Sequence, residues 1–286
     1  MNLTITAAST ALFSTWVFVE ELGLLLDAGD GVSAALTQKT GKIKNVFVSH
    51  ADRDHVCGLL QLHQLNARDG KPAIHYPKDA GTFPALRDFV TRFDPQSGPA
   101  TWSPLDDDQI IPLDNGYSIT AHPSPHIVVE GQVKALGYTL EHTRKRLKQA
   151  FQGLPGKEIA EKKKELGEDA VMEQVVTKPL GYSGDTPALD PTIWQGVEVL
   201  LHEATFLNSQ TTRGQHSNLE QVIHTATSLD LEALVLMHFS ARYKPDEIAA
   251  AIKHHANEHR PPFPIHAILP SQVHHNILAQ QPVWKP

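Results

Sequence analysis

His50-Ala51-Asp52-Arg53-Asp54-His55 sets four potential metal ligands within six residues. The stretch falls between two elements of different period. Before it, Lys44-Asn45-Val46-Phe47-Val48-Ser49 is the β-branched and aromatic run of a buried strand. After it, Val56, Leu59, Leu60 and His63 keep helical spacing, which predicts a helix over residues 54–66. Strand ends of this kind are where α/β sheets build their sites. Imidazole and carboxylate together suit Zn, Mn or Fe. A local turn can aim His50 and Asp52 at one ion and Asp54 and His55 at a second. On spacing alone a plainer reading stands beside this one: a solvated loop whose Asp caps a helix.

Four later segments favour the metal reading. His126 follows a strand and the Pro123-Ser124-Pro125 turn, and Asp185 lies in Tyr182-Ser183-Gly184-Asp185-Thr186. His202-Glu203-Ala204-Thr205 follows Val197-Glu198-Val199-Leu200-Leu201, and His238-Phe239-Ser240 follows the apolar run 233–237. Each polar group closes a short apolar strand, a placement that scattered histidines do not produce. Further strands are expected at Val17-Phe18-Val19, at Leu24-Leu25-Leu26-Asp27, at Ala73-Ile74-His75-Tyr76 and over 135–140. Residues 109–113 and 117–121 read as a hairpin about Asn115-Gly116. Helices are expected over 80–93, from the Ser217-Asn218-Leu219-Glu220 capping box to about 228, and from Pro245 onward. Strands mix with helices without strict alternation, so the fold class is α/β, layered as sheets covered by helices.

Composition narrows the class further. The chain has 286 residues, 25 Lys and Arg against 32 Asp and Glu, a net charge of −7 and 41% hydrophobic residues, enough for a large core. That excludes disordered, collagen-like and disulfide-scaffold proteins. One cysteine allows no internal disulfide. Residues 1–20 hold no Lys or Arg, so a secretory leader is not expected, and no apolar run reaches the roughly 20 residues that span a bilayer. The expectation is a cytoplasmic protein without a membrane segment. The 17 histidines exceed Phe, Trp or Tyr taken singly.

The order His-x-Asp-x-Asp-His, His126, Ser-Gly-Asp-Thr, His-Glu-Ala-Thr and His-Phe-Ser resembles the metallo-β-lactamase superfamily. Within it, Tyr182-Ser183-Gly184-Asp185-Thr186, His202-Glu203-Ala204-Thr205-Phe206 and His238-Phe239-Ser240-Ala241-Arg242-Tyr243 resemble the ribonuclease Z family, over roughly residues 20–245. The resemblance implies one αββα sandwich domain over residues 1–286, with an arm inserted at about 142–177. It implies a dinuclear site, with His50, Asp52 and His126 on one divalent ion, Asp54, His55 and His238 on the other, and Asp185 bridging. It also implies hydrolysis of RNA phosphodiesters at the 3′ end of tRNA precursors, by a water that two cations hold as hydroxide. Asp54 would orient that water, and Glu203 with His216 would protonate the leaving 3′ oxygen. His122, four residues before His126, is the rival for its place, and the family position favours His126. Asp27 and His202 are expected behind the ligands, although Asp27 also reads as a turn residue. The family has His where this chain has Asp52, and the harder carboxylate tilts the pair of ions from Zn toward Mn or Fe(II). The family's Gly-rich loop and Arg-Asn pair near the N-terminus have no counterpart in residues 7–15. A homodimer is a further implication.

Arg144, Lys145, Arg146 and Lys148 open the arm. They read either as a grip on RNA phosphates or as the solvated face of a charge-balanced helix. Cys57 is expected to be buried, and His254, His255, His259, His274 and His275 to lie on the surface. Two other functions compete with RNA cleavage. One is hydrolysis of a small substrate, such as a cyclic nucleotide, another phosphodiester or a lactone. The other is a non-catalytic relative that binds RNA or a protein through residues 142–177.

Overall fold

The computed structural model describes residues 3–66, 70–95, 100–208 and 214–286. The N-terminal part builds a six-stranded sheet in the order β1 (Ile5–Thr10), β2 (Ser14–Val19), β3 (Leu24–Leu26), β4 (Asn45–Phe47), β5 (Ala73–Pro77) and β6 (Thr101–Leu105). Strands β1 to β3 pair antiparallel, and β3 to β6 parallel. The second sheet has seven strands. Its order is β13 (Ile265–Ala267), β12 (Ala233–Met237), β11 (Val197–Glu203), β10 (Met172–Tyr182), β9 (Leu136–Leu147), β8 (Tyr117–Pro123) and β7 (Ile110–Pro112). Strands β10 to β13 run parallel, while β7 to β10 pair antiparallel.

Alternation along each strand assigns the layers. Val17, Val19, Leu24, Leu26 and Phe47 of the first sheet meet Tyr138, Leu140, Tyr182, Leu201 and Val235 of the second in one buried cluster between the sheets. Trp16, Phe18, Leu25 and Val46 point the other way, under α1 (Val32–Leu36), α3 (Leu59–Leu65) and α4 (Thr82–Phe93). Leu200, Leu234 and Leu236 face outward beneath α7 (Leu219–Ala226) and α8 (Pro245–His259). Both faces of the central strands are covered, which is why their sequences are nearly continuous apolar runs. The order of layers is helix, sheet, sheet, helix. Truncating a residue of the inner cluster such as Leu201 to Ala is worth about 2–5 kcal/mol of stability.

Several expectations are corrected. The helix over 54–66 is two helices, α2 (Arg53–Val56) and α3. Gly58 separates them because it packs against a neighbouring backbone: its N–H donates to the Ala28 carbonyl at 2.8 Å, and a Cβ there would stand 2.2 Å from the Gly29 oxygen. Cys57 sits on that turn and is exposed, not buried. Asn218, not Ser217, caps α7, its side chain accepting from the Gln221 N–H. His274 is buried, its backbone paired with Ala7 and its Nε2 accepting from the Leu269 N–H. Arg144, Lys145 and Arg146 lie on a strand, since β9 continues through Leu147, with Lys148 just after it, and the partner β10 returns as a two-stranded ribbon. The helices α5 (Gly156–Leu166) and α6 (Glu168–Val171) lie between the two strands of that ribbon. Among the described residues no helix is long and apolar enough to cross a membrane.

Candidate metal centre

The C-terminal ends of β4, β10, β11 and β12 deliver the polar residues to one edge of the sandwich. Directly after β3 comes Asp27, a fully buried carboxylate with left-handed φ of 57°. It accepts the Ser49 N–H at 2.6 Å, the Ser49 hydroxyl at 2.8 Å, the His55 Nδ1–H at 2.7 Å and the Tyr182 hydroxyl. His50 Nδ1 lies 2.9 Å from the same Ser49 oxygen. That hydroxyl spends its proton on Asp27, so it accepts from His50. On the other side, Thr205 Oγ1 donates to Glu203 Oε2 at 2.6 Å and accepts from His238 Nδ1 at 2.9 Å. His126 Nδ1 donates to the Gln215 carbonyl at 2.9 Å. Four imidazoles therefore hydrogen-bond outward through Nδ1–H and turn Nε2, the nitrogen that would ligate, inward.

These nitrogens converge on three carboxylates. His55 and His238 Nε2 stand 3.4 Å apart, and 3.6 and 3.3 Å from Asp54 Oδ2. Asp52 Oδ2 lies 3.5 Å from His50 Nε2 and 3.7 Å from His126 Nε2. Between the two groups, Asp185 Oδ2 is 3.6 Å from His50, 4.0 Å from His126 and 3.4 Å from His238, while its Oδ1 is 3.5 Å from His55. Donors held tetrahedrally about 2.0–2.2 Å from one ion stand roughly 3.3–3.6 Å apart. The Asp54, His55, His238 group matches that separation, and both groups have the composition of a metal site. His50 Nε2 and Asp185 Oδ1 are buried with no hydrogen-bond partner, a costly arrangement for a group with no ligand to meet. These residues fit divalent ions.

The field has the sign a cation needs. Burial pulls the His55 pKa down, yet Asp185 and Asp27 outweigh it and hold the ring well above its ordinary value. Burial likewise pushes Asp185 up, and the His238 and His55 charges more than offset that. His50, fully buried and beside His55, is lowered.

Beside these candidate ligands, Glu203 is fully buried, and its carboxylate also accepts the Thr186 and Thr205 N–H groups at 2.9 and 3.1 Å. His216 Nδ1 lies 3.0 Å from Glu203 Oε1 and 3.8 Å from Asp185 Oδ2, and its side chain is 22% exposed. A fixed carboxylate behind a part-exposed imidazole is the arrangement of a proton donor. His202 occupies the opposite side of β11 from Glu203, beside Leu200 in register, and donates its Nδ1–H to the Glu203 carbonyl. Its Nε2 is buried with no hydrogen-bond partner. His122 also lies apart, on Thr139 and the edge of Trp194. The cleft beside it, about 390 Å³, is lined by Trp194, Ile193, Pro125, Ile127 and Val128 and adjoins the centre through the neighbours of His126 and Asp185.

The basic cluster lies on and beside the ribbon of β9 and β10 and is partly paired. Lys145 meets Glu168, Arg146 meets Glu173 at 2.8 Å, and Lys148 donates to the Asp169 carbonyl. Arg144 is exposed, with no ion pair among the described residues. Three contributors escape the sequence reading. Ser49 and Thr205 carry signal of a kind, since each sits within or against a ligand motif. The Leu12 N–H, which donates to Asp54 Oδ2 at 2.9 Å from a residue with φ of 69°, carries none, because a backbone amide has no residue signature.

Residues 24–150 match the family model of the beta-lactamase superfamily domain. The chain is 30% identical over 284 residues to the ribonuclease Z of Ignicoccus hospitalis, covering 90% of each. It is 28% identical to the ribonuclease Z of Halobacterium salinarum, over 87% of this chain and 92% of the relative. The short form of human tRNase Z superposes with a TM-score of 0.59 at 17% identity, over 96% of this chain and 99% of that one. A metallo-β-lactamase fold protein, YhfI of Bacillus subtilis, superposes with a TM-score of 0.65 at 14% identity, over 95% and 99%. At such identities these structures speak for the fold.

Proposed function

The chain belongs to the ribonuclease Z family of the metallo-β-lactamase superfamily, and on that premise we propose that it cuts RNA endonucleolytically at the 3′ end of tRNA precursors. The observation that carries the reading is the convergence of four Nε2 nitrogens on Asp52, Asp54 and Asp185 beside the Glu203–His216 pair. His50, Asp52 and His126 would hold one divalent ion, Asp54, His55 and His238 a second, and Asp185 would reach both. When bound, such ions polarise the scissile phosphate and lower the pKa of the attacking water. Asp54, fixed by the Leu12 amide, orients that water toward phosphorus. As the P–O3′ bond breaks, His216 gives its proton to the leaving oxygen, and Glu203 stabilises the charged imidazole that does so. Asp52 in the ligand set supports Mn or Fe(II) beside Zn.

We read residues 1–286 as one domain whose arm grips substrate. The stretch 142–177 carries eight Lys and Arg against six Asp and Glu, so it is net positive in a chain of −7. Arg144, Lys145, Arg146 and Lys148 would meet phosphates there. An arm of this kind supports a homodimer in which one protomer holds RNA for its partner, and the RNA substrate supports a cytoplasmic location. The test sets a 3′-extended tRNA beside bis(p-nitrophenyl) phosphate, with wild type and Asp54→Ala. Wild type should cleave both, and a folded Asp54→Ala neither. Cleavage of the small ester alone moves the reading to the small-substrate hydrolase that the apolar cleft beside the centre favours. Substantially less than one metal per chain moves it to a non-catalytic binder.

A further inference from the structure

A second group of ligating side chains lies away from the catalytic edge. Helices α7 and α8 pack side by side, burying Leu219, Val222, Ile223 and Ala226 against Ile248, Ile252 and Ala256. At the rim of that contact, each helix offers two ligands one turn apart. Glu220 and His224 are i, i+4 on α7, and His255 and His259 are i, i+4 on α8, so each pair shares a face. The two faces meet. The His224 and His259 rings lie with centroids 4.8 Å apart. His255 feels the charges of both Glu220 and His259.

Two features distinguish this group from surface histidines. His255 Nδ1 and His259 Nε2 are buried nitrogens with no hydrogen-bond partner. The nearest carboxylate to the former, Glu258, stays at 3.7 Å, beyond hydrogen-bond range. Moreover, His224 and His259 fall in the last turns of their helices, where the backbone carbonyls favour a positive charge. Burial lowers the His255 pKa, keeping the ring in the neutral form that ligates.

We propose that Glu220, His224, His255 and His259 bind a transition-metal dication of the zinc class, which staples α7 to α8 independently of the catalytic centre. Three imidazoles and one carboxylate would complete a four-ligand set of the structural type once the exposed Glu220 and His224 side chains turn onto the ion. The donor set suits Zn, Ni or Cu and disfavours Mg or Ca.

The test is zinc content after loading and desalting, read beside bis(p-nitrophenyl) phosphate hydrolysis and melting temperature with and without zinc. Wild type is compared with the part-buried pair His255→Ala/His259→Ala, the exposed pair Glu220→Gln/His224→Gln, and His254→Ala as a control outside the group. Each double variant should carry one zinc fewer than wild type, lose part of the zinc-dependent rise in melting temperature and keep full activity. His254→Ala should match wild type. Equal zinc content in wild type and the exposed-pair variant overturns the proposal, whatever the part-buried pair does. Unchanged activity in the variants separates this site from the catalytic ions.

Discussion

Asp27→Asn isolates how the fold orients His55, a candidate ligand. Asp27 accepts four hydrogen bonds, one on Oδ1 from the Ser49 N–H and three on Oδ2, from Ser49 Oγ, His55 Nδ1 and Tyr182. Asparagine is nearly isosteric and tolerates the left-handed φ of 57°, whereas Ala would add about 1–2 kcal/mol of backbone strain. Its oxygen can keep the Ser49 N–H. Its NH2 then faces three former donors. The two hydroxyls can turn and accept, but His55 can accept only by moving its proton from Nδ1 to Nε2. The proton then occupies the lone pair that faces His238 at 3.4 Å and Asp54 at 3.6 Å. Hydrogen bonds to a charged group contribute about 1.5–3 kcal/mol each, so a loss of about 2–4 kcal/mol of apo stability is expected, within what a native fold withstands. Losing the outer partner of a ligand histidine weakens metal binding about 10–100-fold, or roughly 1.4–2.7 kcal/mol. Urea unfolding of the apo protein gives the first quantity, and competition for zinc against a chromophoric chelator gives the second. A folded Asp27→Asn protein with wild-type zinc affinity would refute the reasoning, because Asp27 would then support the fold without setting the tautomer.

Three further outcomes are expected. His216→Ala, at a part-exposed position, should leave the fold intact and slow cleavage of a tRNA precursor about 10²–10⁴-fold. Its hydrolysis of bis(p-nitrophenyl) phosphate should change little, because that leaving group needs no proton; equal losses on both substrates would remove His216 from the donor role. Gly184→Ala places a Cβ 2.7 Å from Ser49 Cβ at a φ of 57°. Strain and overpacking together should cost about 2–4 kcal/mol in urea unfolding, and a neutral result would show that the loop carrying Asp185 yields freely. His75 is buried against Phe47 with neither ring nitrogen hydrogen-bonded, and burial pushes its pKa down to about 4. The unfolded chain takes up that proton near pH 6.5 and the folded one does not, so stability falls as pH drops from 6.5 to 4, by about 3 kcal/mol in all. His75→Phe should flatten this fall, losing about 2 kcal/mol less than wild type between pH 7 and pH 5. Identical pH dependence in the two proteins would count against the unpaired buried ring as its source.

Local chemistry was legible in the residues themselves. Period-two and period-3.6 patterns marked the strands and most helices, and the polar groups closing apolar runs marked the edge where the site forms. Where a distant backbone intervenes, the residues fell silent. The carbonyl of Gly29 breaks the helix at Gly58, turning Cys57 outward, and a return strand holds the basic cluster extended although its composition is equally good for helix. His274 reads as a surface residue until Ala7 pairs with its backbone.

The sequence by itself determined which residue types stand at the strand ends, and so the chemistry available: imidazole and carboxylate, one paired acid and imidazole, a layered α/β sandwich. Only the tertiary structure decided how they are armed. Asp27 meets His55 28 residues away, Thr205 meets His238 33 away, and the Leu12 amide meets Asp54 42 away. Each such contact sets a tautomer or an orientation. It depends on where two sheets bring their edges, a quantity that no local pattern of residues encodes.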